Sequence, residues 1–191
     1  MSKFATDIAR YKAMGGGWKE IWLNPAVWAI GWYRLGNWLN VAHPTFIIRI
    51  PLKVVSLLGN KLCEVMMEMC IDTSATIGEG LYIGHIGGVH INPGAVLGKN
   101  CDIAHRVTIG TSAMGRKGAP TLGDGVYVGT GAALIGKIKV GDGAKIAANT
   151  LVITNVPAGA TVMGVPGRVI MQPPKPVAVP VPAEAEHSNA D

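Results

Sequence analysis

Three of the five histidines, His85, His90 and His105, fall within one short span, and His85 stands in the run Gly84-His85-Ile86-Gly87-Gly88. An imidazole titrates near neutrality, so it can take a proton from an alcohol or ligate a metal ion. Three imidazoles would also meet the needs of a catalytic zinc ion, which takes three protein ligands and keeps one position open. The cysteines, Cys63, Cys70 and Cys101, include no Cys-x-x-Cys pair, and an odd count cannot close wholly within one chain. A reduced setting, without a disulfide framework or a cysteine zinc site, is the simpler reading. Cys101, in Asn-Cys-Asp-Ile, reads as a small buried filler rather than a nucleophile.

A repeat must position these imidazoles. Aliphatic residues recur every six positions at Leu122, Val128, Leu134, Val140, Ile146 and Val152. Upstream the same step joins Ile71, Ile77, Ile83 and Val89 and then, after a slip of two residues, Ile91, Leu97, Ile103 and Ile109. Gly follows many of them, as in Ile77-Gly78, Leu97-Gly98 and Val128-Gly129. A period of six fits neither a helix nor a hairpin meander; it predicts a parallel β-coil in which each hexad supplies one flat side and a corner. Residues 71–170 are therefore expected to form the solenoid, with His85 at a glycine-flanked corner that leaves space beside the ring. Thr111 to Thr121 lacks inward aliphatics and is expected to loop out from one edge, where functional groups gather.

Residues 1–70 hold all five tryptophans and read as helical. Asn24 is placed to cap a helix that has Pro25 at its first position, and Val27, Ile30, Tyr33 and Trp38 recur at helical spacing. A second helix is expected over residues 50–69, with Pro44 and Pro51 as punctuation. Packing of these faces on the protein is the plain expectation; an interfacial helix with Trp and Arg at lipid headgroup level is the sharper one. Residues 171–191 are rich in Pro and Ala and are expected to be extended or disordered.

The chain has 191 residues, 49% hydrophobic and 15% charged, with a net charge of +5. One domain with an appendage suits that length. The first eighteen residues mix charges with glycines, and no 18 consecutive apolar residues occur, so neither a secretory signal nor a spanning helix is expected. The expected location is the cytoplasm, with peripheral contact at the inner membrane left open. Net positive charge suits a phosphorylated cofactor, a membrane surface or nucleic acid. Nucleic acid is not expected, because the basic residues are scattered and the repeat lacks interleaved aromatics.

The segments IGEGLYIGHIGGVHINPGAVLGKNCDIAHRVTIG, APTLGDGVYVGTGAALIGKIKVGDGAKIAANTLV and VPAGATVMGVPGRVI resemble the hexapeptide-repeat acyltransferases, specifically their serine acetyltransferase-like branch. The resemblance implies a mainly β fold, a left-handed parallel β-helix with an α-helical N-terminal segment. It implies acetyl-CoA as cosubstrate, no metal, and a homotrimer whose sites form between subunits. His85 falls at the family's general base; O-acetyl transfer needs such a base to deprotonate the attacking alcohol, and backbone N–H groups of glycine turns to hold the oxyanion. His105 is placed near it as the second catalytic candidate, while Asp72, Glu79 and His90 are the other groups that could orient it. By position Gly110, Thr130, Gly131, Lys145 and Thr161 fall on the path of pantetheine and adenine, with Arg168 near the phosphates; Lys137 and Lys139 add charge.

The chain departs from serine acetyltransferases at Gly84 and Cys70, where they carry Asp, and at Ala119, where they carry His. Those groups hold the amino-acid acceptor, so the expected acceptor is a sugar hydroxyl of a polysaccharide precursor, with serine as the alternative. Two further readings stay open. A zinc-dependent β-helix enzyme would use His85, His90 and His105, although their order differs from that family's. A non-catalytic β-helix scaffold would show regular faces and no insertion.

Overall fold

The computed structural model describes residues 2–113 and 117–170, which leaves the 171–191 tail and the middle of the 111–121 insertion outside the described residues. Four helices come first: α1 (Lys3–Ala13), α2 (Trp18–Leu23), α3 (Pro25–Val41) and α4 (Phe46–Met67). Short strands then wind into a parallel β-solenoid of about five turns. The first sheet stacks β1 (Met69–Ile71), β4 (Val89–Ile91), β7 (Thr108–Gly110), β10 (Ala133–Ile135) and β13 (Leu151–Val152). The second stacks β2 (Thr76–Ile77), β5 (Val96–Leu97), β8 (Thr121–Leu122) and β11 (Lys139–Val140). The third stacks β3 (Tyr82–Ile83), β6 (Asp102–Ile103), β9 (Tyr127–Val128), β12 (Lys145–Ile146) and β14 (Thr161–Met163), and β15 (Arg168–Ile170) closes it antiparallel.

Each hexad buries two alternate side chains, as with Ala75 and Ile77 or Ala144 and Ile146, which is why strands of two or three residues suffice. Ile83, Ile103, Val128, Ile146 and Val162 stand in register on the third sheet, all buried. Glycines at the corners set how closely the coils approach. A Cβ on Gly98 would meet the carbonyl of Gly123 at 2.5 Å and the Asp124 carboxylate, so backbone would have to move. Gly98→Ala is accordingly expected to cost about 1–3 kcal/mol, read as a lower midpoint in urea denaturation.

The top coil would leave a row of unpaired backbone groups, and the helices satisfy it. Arg34 of α3 donates from Nη1 to the Ile77 carbonyl at 2.8 Å and from Nη2 to the Gly78 carbonyl at 2.6 Å. Its Nε meets Asp7 Oδ2 of α1 at 2.8 Å, and Asp7 Oδ1 accepts the Leu81 N–H at 2.9 Å. Tyr11 donates to the Ile83 carbonyl at 2.6 Å, Tyr33 to that of Ala75 at 2.8 Å, and Asn37 to that of Thr73 at 3.0 Å. The polar side chains on the inner faces of α1 and α3 thus end the ladder that strands would otherwise continue.

Asn24 caps α3 through the Ala26 N–H, as its sequence predicts. α4 differs: it starts at Phe46 and runs through Pro51. Pro51 lies on the exposed face near the helix start, where the carbonyl it strips of a partner can face water. The three cysteines are free, and Cys101 is buried with its Sγ 3.4 Å from the Gly123 carbonyl. Burial pushes its thiol up to about 11. At pH 8 its thiolate fraction is on the order of one part in a thousand. Iodoacetamide is therefore expected to leave Cys101 unmodified in the folded protein and to alkylate it in urea, as peptide mass mapping would read.

Candidate active site at a corner of stacked histidines

The register of the third sheet decides what meets His85. Two residues past Ile83, Ile103 and Val128 stand His85, His105 and Thr130, so three successive coils bring them to one corner, between the third sheet and the first. The rings of His85 and His105 lie edge to face, centroids 5.9 Å apart and planes at 83°. His85 is exposed and His105 half-buried. The Nδ1 of His105 is buried without a hydrogen-bond partner, the kind of orphaned group that marks a site awaiting a ligand or a rearranged ring.

The first coil is two residues longer here, from Ile83 to Ile91, than the coil below it, from Ile103 to Ile109. The extra residues fall between Ile83 and Gly87, in the stretch that carries His85, and Gly87-Gly88, both left-handed at φ +105° and +66°, close it by stacking on His105-Arg106. That backbone is open to glycine and costly to others. Arg106, itself at φ 59°, donates its N–H to the Gly87 carbonyl at 2.7 Å, and the Gly131 N–H reaches the His105 carbonyl at 3.1 Å. A Cβ on Gly88 would meet the Arg106 Cα at 3.1 Å. These glycines bring the coil back into register after the longer stretch that carries His85 and Ile86 outward.

Of the groups proposed to orient His85, only His105 shares its corner. Asp72 turns back to accept the Ser74 N–H at 2.8 Å, on the corner between the first and second sheets. Glu79 pairs with Lys99 at 3.1 Å between the second and third. His90 sits mid-strand on the first sheet, exposed, in register with Cys70 and Thr108. Among the described residues no three His, Cys, Asp or Glu are placed to hold a metal ion.

The cofactor candidates divide. Thr130 and Gly131 lie at the histidine corner. Lys145 and Thr161 stand in register on the third sheet with Tyr127, and Arg168 pairs with Met163 at its end. Lys145 and Arg168 are exposed, while the Thr161 Oγ1 is buried without a partner, so this row offers cations and a free hydroxyl to a phosphorylated ligand. Gly110 stands apart, at the far end of the first sheet where the chain leaves for the insertion, its carbonyl accepting the Gly136 N–H at 2.9 Å. Lys139, on the second sheet, is not on the Lys145 row.

Tyr82 was not legible as a site residue. Its ring lies 3.4 Å from where a Cβ on Gly84 would stand, and it packs against Tyr11 with centroids 4.6 Å apart. The signal was its outward position in the Tyr82-Ile83-Gly84 alternation, which also describes an ordinary surface residue.

No family model matches the chain. Serine acetyltransferase of Mycobacterium tuberculosis is 37% identical over 153 residues, 80% of this chain and 63% of that protein. That of Helicobacter pylori is 36% identical over 154 residues, 80% of this chain and 85% of that protein. Among solved structures, a serine acetyltransferase in complex with CoA superposes with a TM-score of 0.74 at 28% identity, covering 88% of this chain and 68% of that one. The Neisseria gonorrhoeae enzyme in complex with serine superposes at 0.71 and 30% identity, covering 88% and 67%. The chain thus spans less than two thirds of the Mycobacterium protein, although most of the Helicobacter one.

Proposed function

Because the chain belongs to the serine acetyltransferase family, within the hexapeptide-repeat left-handed β-helix acyltransferases, we propose that it transfers acetyl from acetyl-CoA to an alcohol, with His85 as the base and serine as the first acceptor to test. The observation that carries this reading is the exposed imidazole of His85 set edge-on to His105 in a glycine corner. His85 takes the hydroxyl proton as the alkoxide oxygen bonds to the acetyl carbon. The C–S bond then breaks, and the imidazolium returns the proton to the departing thiolate, so no enzyme-bound acetyl is needed. Lys145 and Arg168 supply charge for the phosphates, and Thr130, Gly131 and the free Thr161 hydroxyl supply polar partners. Gly110 lies on another edge, so a closed site calls for a neighbouring copy, consistent with a homotrimer.

Serine is favoured over the sugar expected from sequence because the named relatives are serine enzymes. One specific observation keeps the sugar as a second reading. The neutral residues Gly84, Cys70 and Ala119 stand where charged acceptor-binding groups were expected, and the Tyr82 ring lies against Gly84. The deciding assay is thiol release from acetyl-CoA with serine, then with a panel of nucleotide sugars and lipid-linked oligosaccharides. Turnover with serine alone establishes the first reading, turnover with a sugar alone the second, and no turnover with any alcohol overturns both.

His105 is proposed as a positioning residue for His85. His105→Asn is expected to lower kcat by about 10- to 100-fold and to shift the pH profile of kcat, with KM for acetyl-CoA unchanged. A purely structural role would lower stability and leave the pH profile in place.

A further inference from the structure

α4 buries only one face: Ser56, Gly59 and Cys63 turn inward, where Gly59 packs under the Trp32 ring. Its other side is apolar and open. Phe46, Ile47, Ile50, Leu57, Leu58 and Val65 are between 61% and 77% exposed. The expectation that the helical faces pack on the protein holds for α3 but fails here, because one chain offers nothing to cover so wide an apolar arc. Trp18, Trp22, Trp28 and Trp38 are also about half exposed.

Charge accompanies this surface. Residues 1–68 carry eight Lys and Arg against four Asp and Glu, and residues 21–63 contain no carboxylate side chain at all. The remainder of the chain carries nine against eight. The positive balance therefore resides almost wholly in the segment that exposes the apolar helix, on which Lys53 is exposed and Arg49 half-buried.

We propose that the outer face of α4, with the neighbouring tryptophans, is a peripheral binding surface for an anionic lipid bilayer. Apolar side chains would enter the acyl boundary, Trp rings would sit at headgroup level, and the cations would meet lipid phosphates. A two-fold copy is the poorer occupant, since it would set Lys53 against Lys53 on a stretch, residues 21–63, that has no carboxylate to pair them, Glu64 being taken by Lys61. The helix lies on the bilayer rather than across it: among the described residues no helix is long and apolar enough to cross a membrane.

The test is co-sedimentation of the full chain with vesicles of phosphatidylcholine alone, or with one third phosphatidylglycerol, with sedimentation velocity run in parallel. The expected result is at least tenfold stronger partitioning to the anionic vesicles, weakened by 0.5 M salt. Ile47→Glu with Leu58→Glu should abolish it while circular dichroism stays unchanged; both positions face solvent, so the core is untouched. Lys53→Glu should reduce it alone. No binding by the wild type overturns the proposal, as does equal binding to both vesicles. A change of oligomeric state in the double variant without vesicle binding by the wild type would also overturn it, and assign the face to a second copy. Binding is read without turnover, so failure here is separate from failure of the acetyl-transfer reading.

Discussion

His85→Ala is expected to lower kcat by about 10²–10⁴-fold, to leave KM for acetyl-CoA within about twofold of wild type, and to keep the thermal midpoint unchanged. Removing a general base forfeits the proton acceptance that occurs only as the alcohol attacks, so the loss belongs in kcat. The cosubstrate row proposed on the third sheet, Lys145 and Thr161, is untouched by the change, so donor affinity is expected to persist. Stability is expected to persist because His85 is exposed and its ring contact with His105 is not among the backbone hydrogen bonds that close the corner, which run through Arg106, Gly87 and Gly131. Steady-state thiol release, with a melting curve on the same preparation, reads all three quantities. Undiminished kcat would sink the proposed mechanism whichever alcohol is accepted.

Arg34→Ala has the largest expected effect on folding, a loss of about 3–5 kcal/mol. Arg34 and Asp7 are 7% and 1% exposed at their side chains, and removal of either partner strands the other charge away from water. The pair does more than neutralise itself. Its members also hold the Ile77 and Gly78 carbonyls and the Leu81 N–H on the open edge of the first coil. For that reason the double replacement Asp7→Leu with Arg34→Met should remain destabilised. An isolated buried pair often tolerates such a swap, but here the Gly78 carbonyl and the Leu81 N–H would lose their partners and the Ile77 carbonyl would keep only the long contact from Lys3 at 3.4 Å. Arg34→Lys should recover only part of the loss, because one ammonium cannot span the carboxylate and two carbonyls in the fork that guanidinium provides. Urea melts of the four proteins test this. Near-wild-type stability in the double variant would show that the helices cap the solenoid by packing alone.

The solenoid was legible because its rule is local. A six-residue step of aliphatics with glycine after them states which side chains point inward and where the chain turns, and every residue of the Leu122 to Val152 series is buried. α3 was legible for the same reason, with Asn24 and Pro25 declaring its start. The start of α4 at Phe46, ahead of Pro51, was not, since a proline near a helix start can either stop the chain or be carried by it, and the choice depends on whether the freed carbonyl faces water.

The acceptor was the least legible feature. Missing carboxylates at positions 70 and 84 pointed to a sugar, whereas the relatives that match most of the chain are serine acetyltransferases. Local substitutions report the charge of a pocket, and not the shape that neighbouring coils and copies give it.

From sequence alone came the coil, its inward residues, the two places where its period breaks, and His85 as the imidazole framed by glycine. Only the tertiary structure decided that His105, rather than Asp72, Glu79 or His90, would share its corner. Corner membership depends on the summed lengths of whole coils, and two extra residues between Ile83 and Gly87 together with the longer insertion after Gly110 set those sums. It likewise decided that Asp7 and Arg34, far apart in the chain, would end the ladder of the first coil, and that the apolar side of α4 would be left without a cover. Periodicity encodes which way a side chain points; what it meets there is fixed by register between segments distant along the chain, which no local pattern contains.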